Sequence, residues 1–182
     1  MEAKEYALIV AGGRGTRINS QLPKQFIELN GKPILLHTVE AFISYSATLT
    51  IILVLPETEL GIWNSICRQF NFTYPVILQK GGDTRFQSVR NGLATIKNDG
   101  LVAIHDGVRP LVNSDLIAAS FRLAAVHGSA VASVRLKESL RETDQDTTRA
   151  VDRSRFRIIQ TPQTFQVSLL KKAYQQKEDP AF

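Results

Sequence analysis

The chain has 182 residues, 43% of them hydrophobic and 21% charged, an ordinary soluble composition long enough for one sizeable core. Lys and Arg exceed Asp and Glu by 22 to 17, a net charge of +5, but the basic residues neither run together nor alternate with aromatic ones. That argues against a nucleic-acid platform and for convergence on a small polyanion.

A lone cysteine, Cys67, excludes an internal disulfide, and no apolar run approaches the roughly 18 residues of a membrane span. With no signal peptide before the first strand, a cytoplasmic protein with no membrane partner is expected. Residues 5–10 are rich enough in Ile, Val, Leu and Tyr for a buried strand. Residues 11–24 then read A-G-G-R-G-T-R-I-N-S-Q-L-P-K, a glycine-rich loop at a strand's carboxyl end, where open α/β sheets bind ligands. Gly12, Gly13 and Gly15 let backbone N–H groups close on phosphate oxygens, and Arg17 and Lys24 bring two positive charges to the same place. The alternative is a tight turn flanked by solvated charges. The loop is not a Walker A motif, since G-x-x-x-x-G-K-S/T occurs nowhere in the chain. Nor is it a dinucleotide fingerprint, since Ile18 stands where the third glycine belongs.

Strands and helices then alternate. The pattern predicts a helix over 33–45, a strand over 50–55 stopped by Pro56, and a helix over 57–70 whose stripe of Leu60, Trp63, Cys67 and Phe70 makes Cys67 a buried structural thiol. A strand at 75–79 leads to a helix over 83–97 with Asp83 as N-cap. A strand at 101–105, a helix over 114–126 closed by Gly128 and a strand at 129–134 continue the rhythm. Such alternation specifies an α/β class with a mostly parallel sheet. Residues 135–157 break it: densely charged and poor in apolar residues, they project from the sheet, either as a solvated connection or as an arm that packs on a partner subunit. A strand at 157–161 runs into Thr161-Pro162-Gln163, and a last helix covers 167–176.

Two further stretches lie at strand ends. In His105-Asp106-Gly107-Val108-Arg109-Pro110, the carboxylate of Asp106 can bind Mg²⁺ and Arg109 can meet a phosphate bidentately, although an isolated Asp-Gly is also a common turn. His105 reads as structural, because nothing places a nucleophile beside it. In Gly81-Gly82-Asp83-Thr84-Arg85-Phe86-Gln87-Ser88-Val89, backbone groups and the Ser88 hydroxyl can bond a base edge; alone, the stretch is only a βα turn with a helix cap. Arg14, Arg17, Lys24, Arg85 and Arg109 all fall near predicted strand ends.

Four blocks in order, A-G-G-x-G-T-R with its P-K, G-G-D-x-R-x-x-S-V, H-D-G-V-R-P, and V-D-R with T-P-Q, run along essentially the whole chain. Together they resemble the 2-C-methyl-D-erythritol 4-phosphate cytidylyltransferases of the non-mevalonate isoprenoid pathway. The resemblance implies a Rossmann-like layered nucleotidyltransferase fold, with helices on both sheet faces, in one domain over 1–182. It implies an enzyme that joins CTP to a polyol phosphate and releases pyrophosphate, with ribitol 5-phosphate as the alternative acceptor and a noncatalytic nucleotide-binding module as the alternative of another class. By resemblance, Ala11, Gly12, Gly13 and Gly15 hold CTP, Arg17 and Lys24 stabilise charge at the reacting phosphate, and Gly82, Asp83 and Ser88 contact the cytidine. Asp106 binds Mg²⁺. Arg109, Ser139, Arg153 and Thr161 serve the sugar-phosphate side, with Arg153 reaching in from a homodimer partner's arm at 135–157. Two departures accompany the match. Val134-Arg135-Leu136-Lys137-Glu138-Ser139 stands where the family shows P-V-x-D-T, and the family's T-D-D/E-A and N-I-K-x-T segments have no counterpart before Phe182, so a C-terminally incomplete member is expected.

Overall fold

The computed structural model describes residues 3–12 and 22–179. Its elements are β1 (Glu5–Val10), the short strands β2 (Glu28–Leu29) and β3 (Lys32–Pro33), α1 (Ile34–Tyr45), β4 (Thr50–Leu55), α2 (Leu60–Gln69), β5 (Val76–Lys80) and α3 (Arg85–Thr95). After these come β6 (Leu101–Asp106), α4 (Ser114–His127), β7 (Ser129–Arg135), β8 (Leu140–Asp144), β9 (Thr147–Val151), β10 (Arg157–Gln166) and α5 (Val167–Ala173).

The main sheet has the order β5-β4-β1-β6-β10-β7. The strands β1, β4, β5 and β6 pair in parallel, and β10 is antiparallel to both its neighbours. Alternate residues of the central strands feed opposite faces, as the two-residue period of a strand requires. Ala7, Ile9, Ile51, Leu53 and Ala103 pack with Leu36, Val39 and Phe42 of α1, Trp63 of α2 and Phe121 of α4. Tyr6, Leu8, Ile52, Val54, Val102 and Ile104 pack on the other face with Val89 and Leu93 of α3 and Val167 and Leu170 of α5. Both faces of the central strands are therefore buried, which is why those strands read as continuous apolar runs. Truncating a leucine buried in either layer costs about 2–5 kcal/mol.

Several boundaries differ from the expected ones, each for a local reason. The cap of α3 is Thr84, whose hydroxyl accepts from Gln87 N at 3.1 Å, and not Asp83; Thr84 and Gln87 hold the S/T-x-x-E/Q spacing of a capping box. Residues 57–59 form a 3₁₀ turn before α2. Cys67 is half-buried against the core instead of enclosed by it, and burial pushes its thiol pKa up. The last helix ends at Ala173, before the expected 176. The strand expected to stop at Thr161 continues to Gln166, passing a cis Thr161–Pro162 peptide where its register against β7 shifts between Ile159 and Gln163. Proline is tolerated there because the ladder is already interrupted. Gly128 closes α4 as expected, at φ 83° with its N–H on Ala124 O.

The charged stretch leaves the sheet as a separate antiparallel hairpin, β8 with β9, paired from Leu140↔Val151 to Asp144↔Thr147. Almost all of it is exposed.

Candidate functional site

The sheet order determines where a ligand fits. From β1 the chain crosses to β4 and β5 on one side and then returns to β6 on the other, so β1 and β6 are neighbours whose connections diverge at their carboxyl ends. Three exits from the sheet are tethered at this edge: Ala11 N donates to Val54 O at 3.0 Å, Gly81 N to Leu55 O at 2.8 Å, and Gly107 N to Val10 O at 2.9 Å. Gly107 has to be glycine, since a Cβ there would lie 2.7 Å from the Ala11 Cβ and 2.9 Å from Leu35 Cδ1. Its carbonyl accepts from the buried Thr38 hydroxyl at 2.9 Å, which fixes the turn from below.

Above these exits opens a cavity of about 1190 Å³. Ala11, Gly12, Lys24, Gly82, Asp83, Ser88, Asp106 and Arg109 all line it, so residues more than ninety positions apart meet in one place. Gly13, Gly15 and Arg17 lie outside the described residues.

Each wall has its own construction. On the α3 side, Gly82 N donates to Ser88 Oγ at 3.0 Å and Asp83 N to Gln87 Oε1 at 3.0 Å. The Ser88 hydroxyl therefore holds the shape of the loop. A side chain at Gly82 would put its Cβ 2.4 Å from Gln87 Cβ. On the β6 side, the Asp106 carboxylate lies between two guanidinium groups: Arg109 Nε donates to Oδ2 at 2.9 Å and Arg85 to Oδ1 at 3.4 Å. Arg109 also donates to Gln160 Oε1 at 2.5 Å. Two guanidinium groups on one carboxylate leave a local positive excess, suited to a phosphorylated ligand. Behind Asp106, the buried Thr161 hydroxyl accepts from its backbone N–H at 3.4 Å, so Thr161 lies behind the wall and does not line the cavity.

His105 is fully buried and holds this wall, its Nε2 3.2 Å from Arg109 O and its ring edge-on to Phe42. Burial pushes its pKa down to about 4, against the smaller upward pull of the Arg109 carbonyl. The neutral ring has one N–H, and the carbonyl partner puts that proton on Nε2; Nδ1 is buried without a hydrogen-bond partner among the described residues. The structural role expected for His105 is the one it occupies.

The third wall was not anticipated from the sequence. Gln25, fully buried beside Lys24, donates from Nε2 to Ala11 O at 2.8 Å and to Glu59 Oε2. Burial raises the Glu59 pKa, and the bond from Gln25 offsets part of that rise. Lys80 and Glu57 pair at 2.5 Å across the same rim. No short motif flags these residues; the one neighbouring signal is the lysine of P-K, which Gln25 directly follows.

Ser139 and Arg153 are exposed and lie outside the cavity, near the base of the hairpin, where Arg153 donates to Lys137 O. The described residues contain no cluster of three His, Cys, Asp or Glu side chains suited to a metal. A single carboxylate is nonetheless the donor set Mg²⁺ takes when substrate phosphates and water complete its shell, so Asp106 fits that ion. Among the described residues, no helix is long and apolar enough to cross a membrane.

Comparisons with known proteins agree with this fold. Residues 6–182 match the family model described as 2-C-methyl-D-erythritol 4-phosphate cytidylyltransferase. A relative of that name from Bacteroides thetaiotaomicron is 45% identical over 179 residues, covering 98% of this chain and 82% of the relative. A ribitol-5-phosphate cytidylyltransferase from Streptococcus agalactiae is 38% identical over 168 residues, covering 88% of this chain and 70% of the relative. Among solved structures, the 4-diphosphocytidyl-2C-methyl-D-erythritol synthase of Anaerococcus prevotii superposes with a TM-score of 0.83 at 25% identity, over 95% of this chain and 74% of that one.

Proposed function

The chain belongs to the 2-C-methyl-D-erythritol 4-phosphate cytidylyltransferase family, and on that premise we propose that it transfers a cytidylyl group from CTP to 2-C-methyl-D-erythritol 4-phosphate. The observation that carries this reading is the meeting of Lys24, Asp83, Asp106 and Arg109 in one cavity at the sheet's switch point.

In the proposed reaction, an oxygen of the acceptor's phosphate attacks the α-phosphorus of CTP in line. A new P–O bond forms, the bond to the bridging oxygen of the β-phosphate breaks, and pyrophosphate leaves with that electron pair. The attacking phosphate is already an anion, so no general base is required, which suits a cavity with no histidine among its described lining residues and with His105 buried and neutral behind its wall. The chain's contribution is positioning and charge stabilisation. Lys24 faces the triphosphate, a role the family resemblance also gives Arg17; the loops at Ala11–Gly12 and Gly82–Ser88 bound the nucleoside; Arg109 takes the acceptor phosphate. Mg²⁺, held by Asp106, would neutralise phosphate charge.

The same proposal assigns the arm. Ile158 and Val134, paired across β10 and β7, and Phe156 two positions before Ile158 expose 42–49% of their surface at the end of the sheet beside the hairpin, an apolar face that a second copy would cover. In such a homodimer Arg153 and Ser139 reach the partner's acceptor site, consistent with their lying outside their own cavity. A cytoplasmic setting belongs to this reading. The test is pyrophosphate release from CTP with 2-C-methyl-D-erythritol 4-phosphate and, in parallel, ribitol 5-phosphate. Turnover with the first at a kcat/KM at least tenfold higher supports the assignment, and preference for ribitol 5-phosphate moves it to the other acceptor. ATP should bind more weakly than CTP, because a purine would not match the hydrogen-bonding groups of the Gly82–Ser88 loop and would leave them unpaired.

A further inference from the structure

Gln25 sits in the turn Lys24–Phe26, fully buried in the cavity wall. Its Nε2 faces two groups, the Ala11 carbonyl and the Glu59 carboxylate, and both are acceptors. Chemistry therefore fixes the amide orientation: both N–H bonds are committed, and Oε1 points the other way, buried and without a hydrogen-bond partner among the described residues. Leaving an amide oxygen unpaired in the interior is unfavourable, and an apolar side chain of the same length would avoid it. The turn does not depend on Gln25 for its anchorage either. Phe26 next to it is 4% exposed in the core, and Phe26 N bonds Pro23 O at 2.9 Å. A polar residue is retained here against its own burial cost, and what it provides is a link among three cavity segments: the exit of β1, the Lys24 turn and the 57–59 turn.

Resting on the functional reading above, we propose that Gln25, held by Glu59, is a positioning residue for cytidylyl transfer. It locks Lys24 to the carboxyl end of β1, so that the lysine and the backbone at Ala11–Gly12 meet the triphosphate in one fixed geometry. Gln25 touches no reacting atom and acts through Lys24. The half-buried Glu59 keeps the amide from rotating, and burial raises its pKa from the usual carboxylate range while the bond from Gln25 opposes the rise.

The test is a double-mutant cycle read by pyrophosphate release, with CTP affinity measured by calorimetry and folding by thermal melts. Gln25→Met, close in shape but without donors, should lower kcat about tenfold while leaving the KM for CTP within about threefold. Glu59→Gln still offers an oxygen to Nε2 and should keep kcat within about threefold of the parent. In a Lys24→Ala background, Gln25→Met should cost nothing further, because residues acting as one unit are not additive. A Gln25→Met variant with parental kcat, or one whose full loss recurs on top of Lys24→Ala, overturns the proposal. If Gln25→Met does not fold, Glu59→Leu removes one anchor and leaves the Ala11 bond; its smaller loss must likewise vanish in the Lys24→Ala background, and additivity again overturns the idea. Should the parent release no pyrophosphate with either polyol phosphate, the functional reading fails on that control. The positioning role rests on that reading and falls with it, whereas additive kcat losses in an active parent overturn the positioning role alone.

Discussion

The nucleotide-side wall and the hairpin arm are built on opposite principles. The wall at Ala11 and Gly107 is carried by β1 and β6, buried on both faces, and at Gly81–Gly82 by the edge strand β5; each exit is tethered by a backbone hydrogen bond to a neighbouring strand. The arm, β8 with β9, has ladder bonds, one surface ion pair among its described residues and almost no buried side chains of its own. A cavity that takes its shape from the core is ready before any ligand arrives. An exposed hairpin gains a fixed geometry only against something else, as an isolated two-stranded hairpin is marginal in water. The two regions should therefore fail separately.

The sharpest way to separate them is to delete the arm from Lys137 to Arg149. On the dimer proposal, light scattering should show monomers and pyrophosphate release should vanish, while CTP still binds with near-parental affinity to the wall. Both sites of an isologous dimer lose the same patch together. A fully active monomer would break the comparison and confine Arg153 to its own subunit or to no role.

Next in size is Lys24→Ala, expected to lower kcat about a hundredfold, the scale of losing one preorganised electrostatic contact, with an unchanged melting temperature. Parental activity would reduce the P-K element to a turn with a solvated charge.

Much of the wall was legible in the sequence because it is local: a glycine loop after an apolar run and an Asp-Gly after a strand each announce an exit from the sheet. The layered class followed from the same alternation. What escaped was set by contacts distant in sequence. Gln25 meets Ala11 and Glu59, Arg85 meets Asp106, and Arg109 meets Gln160 across fifty-one positions, and no spacing rule shows such pairs. The continuation of β10 past Pro162 was hidden for a related reason. A proline reads as a stop unless one knows that the neighbouring strand has already shifted register.

A smaller effect should come from His105, on the wall side. Its folded pKa of about 4 lies below the ordinary 6.5, so the unfolded chain binds the extra proton between those values. Its contribution is complete above pH 6.5 and is lost as the pH falls toward 4, with a ceiling of about 3 kcal/mol for a shift of this order. Melts of the metal-free protein should decline across that window, and less steeply for His105→Gln, which keeps a donor near the Arg109 carbonyl and does not titrate. Identical slopes would remove His105 from the account.

The smallest effect is predicted for the arm's own ion pair. Arg149 and Glu142 approach to 2.5 Å, but their side chains are 77% and 54% exposed, so water screens the attraction and both long side chains lose entropy in holding it. Arg149→Ala should shift the melting temperature by less than about 2 °C and leave turnover near parental, because nothing in the core depends on the pair. If the variant instead became monomeric, the pair would belong to the contact between copies. The arm would then carry its own specificity for a partner, and the division between a self-sufficient wall and a partner-dependent arm would run through the hairpin instead of at its base.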